Sequence, residues 1–337
     1  MSQRPNHPDP IAIRLPLPGY PDLETANVYL LGPHPLTLID AAPKFPGSFE
    51  FIQEGVRQAG YDLSRLDRIL LTHGHVDHFG LVTTIREQAS RPIPCYLHAE
   101  ELRRVTDTRH YQEMFSTQAD ALMAMVDMPA REARKIRERF SLFDLLCDPI
   151  PDALPLEDGD SFAGEGYDLR VVHTPGHTPG ACCYHETRGK ILFSGDHLLK
   201  RITPNPLFEF RKDLLRDPGY QSLKAYLSSL DRVGRLEVSR VLPGHGEEFT
   251  GLPEIIAGYR KHHEQRANRL WQALRKGPGT IFPLIAEVFD FVPENDVFLA
   301  LSEILVHLEV LVDRGLAEIV RDGPPAVYRA IEQTPNP

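Results

Sequence analysis

The sequence contains few cysteines and no long apolar run. Its 337 residues include only four cysteines, whose spacing is not that of a metal-binding cluster, so we expect reduced structural thiols and no disulfide framework. No run of about 18 apolar residues occurs, which argues against a membrane-spanning helix. Residues 1–10 contain no apolar segment of the kind that directs export, so we expect a soluble, cytoplasmic protein. The cysteines are Cys95, Cys147, Cys182 and Cys183.

Basic residues are fewer than acidic ones. The chain has 37 lysines and arginines against 47 aspartates and glutamates, a net charge of −10. This balance disfavours nonspecific attraction to nucleic acid or to anionic lipid, and we expect neither as a partner. Hydrophobic residues make up 42% of the chain, which is enough for one large domain with an ample core and a smaller one beside it.

Histidine, in contrast, is concentrated in one short string. His73–His78 places three imidazoles and one carboxylate in six residues, directly after an apolar run. Imidazole nitrogen and carboxylate oxygen are ligands for zinc and similar ions, and so many polar groups would be costly in an uncompensated core. In an extended chain His73 and His75 fall on one side and can bind one ion. Asp77 and His78 follow where the chain turns and can reach a second ion.

A glycine separates the first two histidines of this string. Gly74 is expected to let the backbone pass close to the ions. The alternative interpretation is a surface loop that happens to be rich in histidine. A lone pair of histidines two residues apart would not decide between the two, but the full string after a predicted strand favours the metal site.

Three further motifs follow in order along the chain. His177 lies in the His173–Gly180 string HTPGHTPG, Asp196 follows the predicted strand Lys190–Phe193, and His245 lies in the string LPGHG. Together with two upstream strand-like segments, these motifs resemble the metallo-β-lactamase superfamily, and in particular its glyoxalase II-like members. The resemblance covers roughly residues 11–255.

The resemblance implies which residues would bind two metal ions. One metal ion would be held by three histidines, a second by two histidines and an aspartate, and a further aspartate would bridge the two ions. Asp40 matches the position that braces the metal loop from behind. The implied ligands are His73, His75 and His177 for the first ion, Asp77, His78 and His245 for the second, and Asp196 as the bridge.

The resemblance also implies a mechanism. Two divalent ions, expected to be Zn²⁺ with iron or manganese as alternatives, would lower the pKa of a shared water, and the resulting bridging hydroxide would be the nucleophile. Asp77 and Asp196 are the expected catalytic carboxylates. His197, next to the bridging aspartate, is a candidate proton donor to the leaving group or a candidate substrate contact.

The implied fold is an α/β (α+β) protein, an αββα sandwich with a small C-terminal winged-helix-like domain. We expect the metallo-β-lactamase-like domain at 11–255, with a helical lid insertion at about 100–146, a connecting helix at 256–276 and the winged-helix-like domain at 277–332. Residues 276–332 carry four basic and ten acidic residues, the wrong sign for binding duplex DNA. The tail is therefore expected to serve packing or homodimerisation.

Several functions remain open from the sequence. A small-molecule ester, thioester or lactone is the expected substrate, and a phosphodiesterase or ribonuclease is the alternative, supported only by the basic cluster 131–139. An iron-dependent redox protein, such as a sulfur dioxygenase or an oxygen-reducing module, is a second alternative, since the ligands do not fix the metal.

Three further features of the sequence could contribute to the substrate cleft. The methionines after Met1 all lie in the predicted lid, where they could form an adaptable wall for the substrate or simply fill a core. Arg266 is a candidate contact for a substrate anion, and Asn205 could line the cleft. The methionines are Met114, Met123, Met125 and Met128.

Overall fold

Two mixed β-sheets form the centre of the protein. The computed structural model describes residues 9–18, 22–89, 91–209 and 220–332. The first sheet has the strand order β1-β2-β3-β4-β5-β6, antiparallel through β3 and parallel from β3 to β6. Its strands are β1 (Ile11–Pro16), β2 (Thr25–Leu31), β3 (Thr37–Ile39), β4 (Arg68–Leu70), β5 (Cys95–His98) and β6 (Leu154–Leu156).

The second sheet has the order β11-β10-β9-β8-β7. All neighbours in it are antiparallel except β10 and β11, which run parallel. Its strands are β7 (Ser161–Gly164), β8 (Tyr167–His173), β9 (Cys182–Glu186), β10 (Ile191–Gly195) and β11 (Arg240–Pro243).

Ten α-helices accompany these sheets in the described part of the chain. None of them is both long enough and apolar enough to cross a membrane. They are α1 (Ser48–Gln58), α2 (Val76–Phe79), α3 (Val82–Glu87), α4 (Leu102–Thr106), α5 (Thr108–Met125), α6 (Ala130–Phe140), α7 (Ser222–Val233), α8 (Leu252–Arg275), α9 (Leu284–Val288) and α10 (Val297–Asp313).

The side chains of the strands show why the elements stack in four layers. In β2, Val28 and Leu30 join the core beneath α1 and α3, whereas Tyr29 and Leu31 join the core between the two sheets. The second sheet divides in the same way, with one face in the shared core and the other beneath α7 and α8. Alternation along a strand therefore gives each sheet two apolar faces, which confirms the αββα sandwich.

The cysteines follow the same alternation. Cys182 lies in the core between the sheets, and its neighbour Cys183 lies in the core on the helix side, as the strand geometry predicts. All four cysteines are buried and free of disulfides. Burial raises the pKa of Cys95 and of Cys183 to about 12, so these thiols are protonated at neutral pH.

The C-terminal part of the chain contains a three-stranded sheet of order β12-β14-β13, with α9 and α10 beside it. The helix α10 is followed by two strands, β13 and β14, which pair antiparallel. Their core includes Leu122 and Val126 from the end of α5 and residues of α7 and α8, so this part packs firmly on the rest of the chain. The strands are β12 (Gly279–Thr280), β13 (Ala317–Arg321) and β14 (Val327–Ala330).

The methionines of the predicted lid contribute to these cores. Met123 is buried in a small cluster with Ala119 and Ile136, and Met125 and Met128 pack against the core of the C-terminal part. The contacts assign these three residues to helix packing, the simpler of the two interpretations. Within the segment 100–146 the chain forms α4, α5 and α6.

Candidate metal centre

The seven predicted ligands lie together where strands of both sheets end. Each follows a strand directly or sits in the short helix after one, so the turns at one edge of the sandwich bring the side chains to a common point. His73 and His75 follow β4 and precede Asp77 and His78 in α2, while His177 follows β8, Asp196 follows β10 and His245 follows β11.

Three histidines form the first group of possible ligands. His73 Nε2 lies 2.9 Å from His75 Nδ1, and His177 Nε2 lies 3.0 Å from the same His75 atom. Nitrogens at about 2.0 Å from a tetrahedral ion are separated by about 3.3 Å. The three atoms are thus arranged around a space of the size that one metal ion would take.

Two histidines and an aspartate form the second group. His245 Nε2 is 3.4 Å from Asp77 Oδ2, and His78 Nε2 is 4.0 Å from Asp77 Oδ1. Burial alone would raise the pKa of Asp77, but the charges of His78 and His245 lower it, and the carboxylate stays ionised. The mixed donor set suits a divalent cation.

Asp196 stands between the two groups. Its Oδ1 lies 3.3 Å from His78 Nε2 and 3.3 Å from His245 Nε2, and its Oδ2 lies 3.5 Å from His177 Nε2. One carboxylate oxygen is therefore directed at each group. This is the geometry required of a ligand shared by two ions.

The polar atoms of this centre are consistent with bound cations. His78 Nε2, His245 Nε2 and Asp196 Oδ1 are buried without a hydrogen-bond partner among the described residues, although they face one another. Buried polar atoms left unpaired are costly, so donors that converge in this way suit a cation bound among them. Gly244 leaves the space: a Cβ there would lie 2.5 Å from Asp196 Oδ1.

The outer nitrogens of three histidines are fixed by hydrogen bonds. His78 Nδ1 lies 2.9 Å from Asp40 Oδ2, His177 Nδ1 lies 2.9 Å from the carbonyl oxygen of Asn205, and His245 Nδ1 lies 2.8 Å from that of Thr25. Such partners orient the ring so that the other nitrogen faces the ion. Asp40 braces the site as predicted, while Asn205 acts through its backbone.

Two residues that sequence reasoning missed support the loop of His245. Thr25 accepts the hydrogen bond from the His245 ring, and Asn27 Nδ2 donates to the carbonyl oxygens of Pro243 and Gly246 at 2.9 and 2.8 Å. Both lie in the first half of β2, some 220 positions along the sequence from their partners. No local pattern in the sequence could have revealed these contacts.

The protonation of the histidines differs between the two groups. Burial lowers the pKa of His73 and of His177, which keeps these rings in the neutral form that binds metal. Burial alone would also lower the pKa of His245, but Asp196 and Asp77 raise it to about 10. Two carboxylates therefore attract positive charge to the second group.

His197 occupies a different environment from the one predicted. Its ring is buried against Tyr226, with centroids 5.1 Å apart, and neither ring nitrogen has a hydrogen-bond partner among the described residues. Tyr226 instead donates to the His197 backbone oxygen at 2.9 Å. Burial lowers the pKa of His197 to about 3, so the ring is neutral at neutral pH. These contacts favour a packing role over proton donation to a leaving group.

Arg266 does not face the metal centre. Its Nε donates to Glu303 at 2.7 Å, its Nη1 donates to the Val288 carbonyl, and its guanidinium lies 3.9 Å from the centre of the Phe289 ring. The polar side of α8 therefore packs on α9 and α10. Its suggested contact with a substrate anion is wrong, since the side chain is committed to these partners.

Fold and site together define an α/β protein with a histidine- and aspartate-lined metal centre at one edge of its sandwich. A family model described as "Metallo-beta-lactamase superfamily" matches residues 21–245, more than half of the chain. The protein belongs to this superfamily.

Individual relatives extend over nearly the whole chain. "Probable metallo-hydrolase YqjP" from Bacillus subtilis is 28% identical over 309 residues, which are 90% of this chain and 92% of that protein. "Beta-lactamase-like protein 2 homolog" from Drosophila melanogaster is 25% identical and covers 92% of this chain and 90% of its own. These similarities support a metal-dependent enzyme of the hydrolase type.

Solved structures show the same arrangement. The metallo-beta-lactamase family protein TTHA1429 from Thermus thermophilus superimposes with a TM-score of 0.80, at 28% identity, over 96% of this chain and 98% of its own. A beta-lactamase domain protein from Burkholderia ambifaria gives a TM-score of 0.81 at 25% identity, over 97% and 93%. The C-terminal part is thus included in the similarity.

Proposed function

We propose that this protein is a di-metal hydrolase that acts on a small ester, thioester or lactone. The observation that carries the proposal is the position of Asp196, with one carboxylate oxygen directed at each group of ligands. In this proposal His73, His75 and His177 would hold one ion and the other group the second. Zinc suits these imidazole and carboxylate donors, and the same donors also suit iron or manganese.

The bound ions would supply Lewis acidity and a shared water whose pKa is lowered towards neutrality, and hence a hydroxide nucleophile. The chain's own residues prepare the site for them. Asp77 and Asp196 are ionised, and burial holds His73 and His177 neutral, so carboxylate oxygens and imidazole nitrogens are both ready to bind cations. Asp40 fixes the ring of His78 from behind.

A cysteine nucleophile is not supported by the structure. The cysteines are all buried and none is in a disulfide, and burial raises the pKa of Cys95, Cys182 and Cys183 well above the ordinary thiol value. A thiolate is the reactive form of cysteine, so these residues are unreactive at neutral pH. This supports hydrolysis by activated water.

The alternative of a phosphodiesterase loses part of its sequence support. The basic cluster 131–139 forms part of α6, where Lys135 pairs with Glu132 and Glu294, and Arg137 pairs with Asp120. Arg139 donates to the backbone oxygen of Asn295. A phosphate-binding surface needs cations that face the substrate, whereas these side chains hold α6 to its neighbours.

The proposal is tested by metal analysis of the purified protein together with a panel of thioester, lactone, phosphodiester and RNA substrates. We expect about two ions per chain and turnover of an acyl substrate. The Asp196→Ala variant should lose both, whereas Asp152→Ala, which removes an exposed carboxylate paired with Arg86, should lose neither. Full turnover by Asp196→Ala would contradict the proposal. Bound iron with oxygen consumption and no hydrolysis would replace it with the redox alternative.

A further inference from the structure

A buried glutamate that no sequence motif singled out lies between two loops of the metal centre. Glu101 follows β5 and is only 1% exposed. Its Oε2 accepts a hydrogen bond from the Gly74 backbone N–H at 3.1 Å, and its Oε1 accepts one from the Gly180 N–H at 2.8 Å. The two carboxylate oxygens thus join two separate parts of the chain.

These loops carry the three histidines of the first group. Gly74 lies between His73 and His75, and Gly180 lies three residues after His177. The loops follow strands of different sheets, and 102 positions separate His75 from His177, so no local structure fixes their spacing. A backbone hydrogen bond of 2.8 Å from the N–H of residue 182 to the oxygen of residue 72 adds a second link between them.

Both glycines are explained by the glutamate. A Cβ at Gly74 would lie 2.8 Å from Glu101 Oε2 and 3.0 Å from Arg104 Cδ, and a Cβ at Gly180 would lie 2.6 Å from Glu101 Cγ. The space beside Gly74 holds this carboxylate, which is a reason for glycine at this position that the sequence did not reveal. Glycine at both positions allows the side chain to enter and to reach the two N–H groups.

The negative charge of Glu101 is compensated where it is buried. Arg104 Nε lies 3.7 Å from Glu101 Oε2, and Arg104 Nη2 donates to Glu209 Oε1 at 3.1 Å. A carboxylate removed from water requires hydrogen bonds and a counter-charge, and it has two N–H donors and a guanidinium here. Such a compensated group is suited to hold neighbouring backbone in one position.

We propose that Glu101 is a positioning residue that sets the spacing of His73 and His75 from His177, and so controls the affinity of the first metal site. The inference rests on the proposed function, since it presumes that the three histidines bind an ion. Metal donors must be held within about 0.5 Å of their productive geometry. A side chain that joins the two donor loops is the direct means of doing so.

The test uses Glu101→Gln, which keeps the shape but turns one acceptor oxygen into a donor facing an N–H group. Metal affinity is measured by competition with a chromophoric zinc chelator in two backgrounds. His245→Ala disables the second group and leaves the first, and His177→Ala does the reverse. We expect Glu101→Gln to weaken zinc binding about 10- to 100-fold in the first background and to leave the second unchanged.

Glu186→Gln is the matched control. Glu186 is also a buried carboxylate that accepts backbone N–H groups, from Asp168, Arg188 and Gly189, but it lies at the turn between β9 and β10. Its replacement should lower stability without changing zinc affinity in either background. In the metal-free protein, amide hydrogen exchange should increase around Gly74 and Gly180 in Glu101→Gln alone.

The outcomes separate the inference from the function on which it rests. Two zinc ions in the wild type with unchanged first-site affinity in Glu101→Gln would overturn the positioning role and leave the proposed function standing. Equal weakening in both backgrounds would also overturn it, because a general loss of structure would then be the cause. A wild-type protein that binds no ion would overturn the proposed function itself.

Discussion

Asp40 Oδ2 lies 2.9 Å from His78 Nδ1, and both side chains are almost fully buried. Thr72 holds the carboxylate from the other side, since its backbone N–H donates to Asp40 Oδ1 at 2.8 Å. The hydrogen bond places the proton of His78 on Nδ1 and turns Nε2 towards Asp196. A residue that follows β3, the strand next to the one before the histidine string, thus decides which ring nitrogen can bind metal.

Replacing Asp40 with asparagine should weaken the second metal site. The amide retains the size of the side chain but not its charge, so His78 would be held less firmly and would be a poorer donor. We expect metal affinity and kcat/KM to fall about 10- to 100-fold. Equilibrium dialysis with zinc and steady-state kinetics measure the two effects. Wild-type affinity in Asp40→Asn would show that Thr72 and packing are sufficient to orient the ring.

Gly244→Ala should disrupt the same region by steric conflict. The added methyl carbon would lie 2.5 Å from Asp196 Oδ1 and 2.7 Å from His78 Cε1, so the bridging carboxylate must move. Such a displacement costs about 100-fold in turnover and should lower the metal content below two ions.

The control for this substitution is Gly258→Ala. Gly258 lies within α8, away from the helix ends, and is exposed to solvent. A Cβ there would meet no atom within 4 Å. Alanine should raise the free energy of unfolding by about 0.5–1 kcal/mol and leave the kinetics unchanged. If Gly244→Ala behaved like this control, the glycine would not be needed to accommodate Asp196.

Met123→Ala should affect stability and not substrate binding. Met123 is buried beside Ala119, Ala133 and Ile136, and its replacement leaves a cavity between α5 and α6. We expect a loss of about 2–4 kcal/mol in the free energy of unfolding, measured with urea, and an unchanged KM. A raised KM at unchanged stability would instead support the methionine wall of the substrate cleft.

The stability of the protein should fall in mild acid through a buried histidine pair. Burial lowers the pKa of His263 to about 3 and that of His307 to about 4, with His262, Glu303 and Arg266 beside them. In the unfolded chain these histidines have a pKa of about 6.5. As the pH drops below that value, the unfolded chain takes up protons that the buried histidines of the folded chain do not bind. The native state is therefore fully favoured above about pH 6.5 and progressively less favoured towards pH 4.

Comparison with His307→Gln isolates this effect. At about pH 5 the wild type should have lost about 1–2 kcal/mol through His307 alone, whereas the variant has no such group to titrate. The difference in unfolding free energy between the two proteins should therefore shrink as the pH falls from about 8 to about 5. A constant difference over this range would mean that His307 does not resist protonation.

The candidate ligands of the metal centre could be proposed from the sequence because each lies in a short string of distinctive residues. The residues that orient them could not. Glu101 acts on Gly180, 79 positions away, and Asn27 acts on Pro243, 216 positions away. A hydrogen bond between distant positions leaves no trace in either local pattern, so these partners are visible only in the fold.

What a helix face contacts is likewise not predictable from the local sequence. The side of α8 that carries Arg266 is polar, but helical spacing alone does not say what covers that side. The structure shows that Glu303 of α10 does so, which turns a suggested substrate contact into an internal ion pair. The nature of a face depends on local sequence, and its neighbour depends on how the chain packs.

By itself the sequence determined the candidate donors, because the chemistry of a side chain is a property of the residue, and its motifs carried the resemblance that implied the superfamily and the sandwich. Only the tertiary structure decided the distances at which these donors meet. His73 and His75 follow a strand of one sheet, and His177, Asp196 and His245 follow strands of the other. Their separations depend on the packing of the two sheets, and through it Asp196 comes to lie between the two groups.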